Sequence, residues 1–140
     1  MKRNLIGILP LLVFSMALNV TAHAQTFAKA NVPFAFRVGS ATLPAGTYEV
    51  SSAGAAAVAL QNKNVTASAM STVRHEPPQQ TSGKLIFHRI GSEYFLAEIW
   101  KGAGSPGMVI PTSKREMNLE KELRASSQPG TGEEVLIATY

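Results

Sequence analysis

Two of the three histidines and a scatter of glutamates are the residues of this 140-residue chain with the most obvious chemical potential. His75 and His88 could serve as metal ligands or proton carriers, with Glu76, Glu93 or Glu98 as carboxylate partners. Structural zinc sites, however, use tight ligand spacings and usually cysteine. Here the spacing fits no such pattern, and the chain has no cysteine. His88 falls among apolar neighbours in a strand-like stretch, which marks it as a hydrogen-bonded structural residue. His75 opens a Pro-rich polar loop and is expected to be solvated.

Nucleophilic catalysis needs a Ser or Thr beside an oriented base. Serines are plentiful, yet no G-x-S-x-G elbow is present. All nine acids are Glu, so a triad would need Glu as its third member. Pairs of glutamates can do glycosidic acid/base work, but nine scattered Glu make a close pair an expected coincidence. The run Gly102-Ala103-Gly104-Ser105-Pro106-Gly107 lacks the G-x-x-x-x-G-K-[ST] order of a phosphate loop and reads as a connection. The sequence therefore singles out no catalytic, cofactor-binding or metal-ligating residue, and it implies no cofactor.

The first 24 residues read as a secretory signal peptide. Lys2 and Arg3 form a positive start, Leu5 to Val20 is apolar, and Ala22-His23-Ala24 offers an A-x-A cleavage site. The apolar run, broken by Asn19, Thr21 and His23, falls short of the roughly 20 clean residues of a membrane span. The expected mature chain is a single domain, residues 25–140, in the periplasm or medium, with no membrane span after cleavage. Loss of Lys2 and Arg3 leaves 11 basic residues against nine acids, a charge of about +2. The basic residues are dispersed, Lys114-Arg115 being the one adjacent pair, so no stripe exists for nucleic-acid phosphates. Without cysteine, neither a disulfide framework nor an N-terminal lipid is available. Packing and backbone pairing must hold the domain.

The elements follow from short alternating segments between Gly/Pro turns. Val32 to Val38 alternates, with Phe34, Phe36 and Val38 on one face. Thr47 to Ser51 is a second strand with Tyr48 and Val50 inward, and Ala57–Gln61 and Val65–Val73 read as two more. Lys84–Ile90 and Glu93–Trp100 form a hairpin on Gly91-Ser92, a pair suited to a type II′ turn. A regular register pairs Ile90 with Glu93, His88 with Phe95 and Ile86 with Ala97. It places Phe87, Leu96 and Trp100 on one face and Ile86, His88, Ile90 and Ile99 on the other. Both faces are apolar, which requires cover on both. A helix near Lys114 to Ala125, opened by the capping box Ser113-x-x-Glu116, is the expected cover. Glu120 and Arg124 stand at a favourable i,i+4 spacing. Glu134 to Tyr140 is the last strand. The fold class expected is mainly β: one antiparallel barrel or sandwich of about seven strands, with one α-helix in the C-terminal half.

Val32-Pro33-Phe34-x-Phe36-x-Val38-Gly39, followed by Leu43-Pro44-Ala45-Gly46-x-Tyr48-x-Val50, resembles the opening of a family of small exported bacterial proteins. The Phe87 to Trp100 hairpin and the Ser113-x-x-Glu116 helix start fit the same pattern. The resemblance implies a β architecture and export, and carries no activity or functional residue with it. The function expected is an exported binding or structural module of the cell envelope, acting on an envelope protein or polymer. The alternatives are a β-barrel carrier of an apolar ligand, its pocket lined by some of the seven aromatic residues from Phe34 to Trp100, and a hydrolase. Tyr140 would suit the aromatic girdle of an outer-membrane barrel, but the strands are mostly shorter than the roughly 9–11 residues such a barrel needs.

Overall fold

Two antiparallel sheets face each other across a single apolar core in the computed structural model, which describes residues 25–74, 82–102, 104–127 and 132–140. The leader, residues 1–24, and His75, Glu76 and the Pro77-Pro78 loop lie outside the described residues. The first sheet is a meander of β1 (Thr26–Val32), β4 (Gly46–Ser52), β5 (Ala57–Gln61) and β6 (Thr66–Met70), in the order β1-β4-β5-β6. The second has the order β11-β8-β9-β10-β7. Its strands are β7 (Thr72–Arg74), β8 (Lys84–Ile90), β9 (Glu93–Trp100), β10 (Gly107–Val109) and β11 (Glu133–Ala138). A small hairpin of β2 (Phe36–Val38) and β3 (Ala41–Leu43) joins β9 through one parallel pair, Arg37 opposite Phe95. The sheets meet at a corner where Lys29 and Tyr140 exchange two backbone hydrogen bonds of 3.0 Å. The expected barrel or sandwich with one helix is thus observed, as two sheets, one of them curled, joined at this corner.

The strand count differs from the expected seven, since the described residues hold eleven strands. Two breaks account for much of this. Val32 to Val38 is not one strand. Pro33, with no N–H to give a ladder, ends β1, and Phe36 resumes as β2 in the other sheet. Val65 to Val73 likewise divides at Ser71, whose N–H bonds the Ala56 carbonyl at 2.9 Å before the chain passes to the second sheet. Thr26–Val32 itself is a strand that its Ala- and Asn-containing sequence does not announce. Leu43, just before Pro44, pairs with Phe36 as the end of β3.

The core lies between the sheets. Phe36, Tyr48, Phe87, Leu43, Leu60, Leu85 and Ile99 are almost fully buried. The rings of Phe34 and Phe36 each meet Phe87 edge-on at 5.2 Å, and Phe36 meets Tyr48 in the same manner at 5.2 Å, the geometry favoured by ring quadrupoles. Tyr48 satisfies its buried hydroxyl by donating to the Pro44 carbonyl at 2.6 Å. Burial pushes its phenol above the ordinary value.

The hairpin on Gly91-Ser92 forms as expected. Gly91 has φ +60°, a conformation that costs glycine little. The pairs Ile90–Glu93 and His88–Phe95 are observed. The pair Ile86–Ala97 is not, because Ile86 lies opposite Glu98 and Phe87 opposite Leu96. Ala97 is the extra residue of a β-bulge. A bulge reverses the facing of every residue beyond it. Ile99 therefore joins Leu85, Phe87 and Leu96 in the main core, and Trp100 moves to the opposite face with Ile86, Ile90 and Phe95. The Ala97 carbonyl is not wasted, since it accepts the Ile110 N–H at 2.8 Å.

That bulge yields a sharp expectation. Deleting Ala97 should leave the chain folded, because the pairs Phe87–Leu96, Ile86–Glu98 and Leu85–Ile99 survive the deletion unchanged. The cost should be about 1–3 kcal/mol for the Ile110 N–H left without its partner. Deleting Ile99 instead should be far more damaging, since it moves Trp100 into the core face. Thermal melts of the two deletions compare them directly, and equal losses would contradict the assigned bulge.

The face carrying Ile86, Ile90, Phe95, Ala97 and Trp100 is also buried, although it stands outside the main core. Helix α1 (Lys114–Ala125) reaches this side through Glu116, whose carboxylate lies 3.1 Å from His88 Nδ1. Its capping box forms as expected: the Glu116 N–H donates to Ser113 Oγ at 3.2 Å, and the Ser113 N–H to Glu116 Oε2 at 3.4 Å. Glu120 and Arg124 approach to 3.9 Å. Met117, by contrast, is exposed. Trp100 rests on Gly107, where an added Cβ would stand 2.8 Å from the ring.

Candidate functional site

Of the groupings that His88, Glu93, Glu98 and the serines could form, none assembles among the described residues, and His75 and Glu76 lie outside them. Glu93 and Glu98 are each taken by cations. Glu98 receives Arg74 Nη1 at 2.6 Å and Trp100 Nε1 at 2.9 Å, which ties β7 to β9. His88 sits mid-strand and hydrogen-bonded, as expected, although its side chain is 37% exposed. Its Glu116 partner is buried and shared with the Ser113 N–H. A hydrolytic triad needs the imidazole between acid and hydroxyl. Here Glu116 lies between His88 and Ser113, and Ser113 Oγ is occupied as a helix cap. Among the described residues, no three His or Glu side chains converge as a metal site would require.

What the fold does assemble is a group that sequence spacing does not reveal. Arg37 from β2, Glu93 from β9 and Arg115 from α1 are distant in sequence and meet at one point. Arg37 Nε donates to Glu93 Oε2 at 2.9 Å. Arg115 Nε donates to Glu93 Oε1 at 3.1 Å, and Arg115 Nη2 donates to the same oxygen. Arg115, chiefly through its hydrogen bonds, holds the Glu93 carboxyl below its ordinary value of 4.5, against partial desolvation, and Arg37 adds to the effect. Glu93 in turn raises Arg115, with a weaker pull from Glu122. Beside this group lies an open depression of about 410 Å³ lined by Arg37, Gly39, Ser40, Ser113, Lys114 and Arg115. Its lining carries three cations, two hydroxyls and no acid. The adjacent pair Lys114-Arg115 was the one trace of this in the sequence.

A depressed carboxyl stabilises the fold above its unfolded value, and that contribution is lost as pH falls through the lower folded value. Glu93→Gln should therefore melt below the unsubstituted protein at about pH 7. The gap should close between pH 4.5 and the acid side of Glu93's own titration. A pH series of melting temperatures for both proteins measures it, and a gap independent of pH would exclude the ion pair as its source.

The second candidate feature is an edge. Thr66–Met70 is the last strand of the first sheet and Thr72–Arg74 the last of the second, and each is paired along one side only among the described residues. They follow one another in the chain as a rim from Thr66 to Arg74, with Met70 67% and Val73 56% exposed, and β6 also comes close to β2, where Ala69 approaches Gly39. Comparison with protein-family models, with curated proteins and with solved structures finds no match to the chain. Fold and surface define it as a two-sheet, mainly β protein with one covering helix and an open strand edge. None of its helices among the described residues is long and apolar enough to cross a membrane.

Proposed function

We propose that this chain is an exported binding module of the cell envelope that pairs, through its open edge, with an extended segment of an envelope protein. The observation that carries the reading is the rim from Thr66 to Arg74. Unpaired strand edges offer N–H and C=O groups to an incoming strand, while side chains on alternate positions provide selectivity. Met70 and Val73 are the apolar side chains that flank such a strand. The carrier alternative is less favoured by the same structure, because the rings of Phe34, Phe36, Tyr48 and Phe87 fill one another's space instead of lining a cavity. Export rests on the leader read from residues 1–24, with Gln25 as the mature N-terminus.

The test is a capture from envelope extract followed by hydrogen exchange. A bound segment should protect amides of β6 and β7 and leave those of β11 unchanged. Val73→Lys places a charge on the rim, a device that discourages strand pairing, and should abolish capture without lowering the melting temperature. Capture that Val73→Lys leaves intact, or protection centred elsewhere, overturns the reading.

A further inference from the structure

We infer that the depression between β2 and the start of α1 is a binding site for a phosphomonoester. This site is independent of the strand edge and of the partner proposed for it. Its cations come from two separate elements, Arg37 from β2 and Lys114 and Arg115 from α1. Glu93 receives both guanidiniums and so fixes their positions, a cross-brace that holds the two sides of the depression at a set spacing. Arg37 is bonded through Nε, which leaves both Nη groups without a hydrogen-bond partner among the described residues. Lys114 forms no ion pair among those residues.

Charge selects the ligand. The lining holds three cations and no acid; of the nearby carboxylates, Glu93 is spent on Arg37 and Arg115 and Glu116 on the Ser113 N–H and His88, while Glu122 acts on Arg115 from further along the helix. A phosphomonoester, at about −1.5 to −2 near neutral pH, brings more charge to these cations than a carboxylate or a phosphodiester does. Shape agrees. A planar carboxylate is satisfied by one or two guanidiniums, as Glu93 is by Arg115 and Arg37. A tetrahedral oxyanion takes donors from several directions at once, and Arg37, Lys114, Arg115, Ser40 and Ser113 all line the depression. The site rests on these side chains and not on the helix end, where the capping box already occupies the Glu116 N–H.

Titration of the ¹⁵N-labelled protein with glycerol 3-phosphate tests the assignment, with sodium acetate in parallel. Saturable shifts are expected at the backbone amides of Ser40, Lys114 and Arg115, with weaker binding of acetate. Lys114→Gln leaves the Arg37–Glu93–Arg115 group whole, so it should keep the melting temperature and weaken glycerol 3-phosphate by about tenfold, the effect of one lost charge-assisted hydrogen bond. Phosphatidylcholine vesicles carrying phosphatidic acid distinguish the source of the group. Sedimentation with these vesicles that glycerol 3-phosphate reverses places the monoester on a lipid. Soluble binding without sedimentation places it on a non-lipid molecule. The inference is overturned by the absence of saturable shifts, by acetate binding as tightly, or by an unaffected Lys114→Gln variant. Shifts centred on the other basic depression, around Lys29 and Lys63, would overturn it equally.

Discussion

Phe87→Ala should lower stability by about 3–5 kcal/mol, the range for an aromatic side chain removed from a closed core. Phe87 has no exposed surface and takes the ring edges of Phe34 and Phe36, each at 5.2 Å. Its loss opens the junction where β2, arriving from the first sheet, meets the β8–β9 hairpin. Phe36 is held by β2 and Phe34 by its stacking on Tyr94, so collapse into the space is limited and the cavity cost remains. For a domain of this size the melting temperature should fall by roughly 10–20 °C. Leu136→Ala provides the contrast. Leu136 is 55% exposed on β11, and its removal should change stability by no more than about 0.5 kcal/mol. Thermal melts followed by circular dichroism measure both. A Phe87→Ala protein that melts with the unsubstituted one would mean that the sheets are not packed through these rings.

Trp100→Ala should be about as damaging, at roughly 3–5 kcal/mol, but by loss of a different layer. Trp100 is 3% exposed on the face of β9 turned away from the main core. Its ring lies against Gly107 and its Nε1–H donates to Glu98. Gly107 beneath it has no side chain to move into the gap. Trp100→Phe keeps part of the ring and gives up the hydrogen bond, and should fall between the two. Because Phe87 and Trp100 lie on opposite faces, their losses should add within about 0.5 kcal/mol. Chemical denaturation of the single and double variants gives the comparison. Strong coupling between them would place both residues in one layer and contradict the bulge at Ala97.

Much of this fold is legible residue by residue. The alternation of Thr47 to Ser51 marks Tyr48 and Val50 as inward. Gly91-Ser92 marks a hairpin, and Ser113-x-x-Glu116 marks the helix start to the residue. These are local signals, each carried by a few neighbouring side chains and backbone groups. The errors share a cause as well. Strand breaks at Pro33 and Ser71 separate residues that alternate without interruption, because the chain changes sheets there and periodicity continues across the change. The bulge at Ala97 is likewise silent, since Leu96, Ala97, Ile99 and Trp100 are apolar whichever face they take. A strand pair covered on both sides lacks the polar residues that would have revealed its register.

The candidate surfaces divide in the same way. The chain by itself determines a mainly β body with one capped helix, no cysteine and a leader-like start, because composition, alternation and capping are local properties. It determines that His75, His88 and the glutamates follow no ligand or triad spacing. Only the tertiary structure decides that Arg37, Glu93 and Arg115 meet, since they lie on three elements whose approach depends on β2 pairing parallel with β9 and on α1 reaching β8. Only it decides that Thr66 to Arg74 is an edge, because edge status belongs to strand order and not to any strand's own residues. Long-range pairing brings such groups together, and nothing in the spacing of charged residues along a chain encodes which strands will be neighbours.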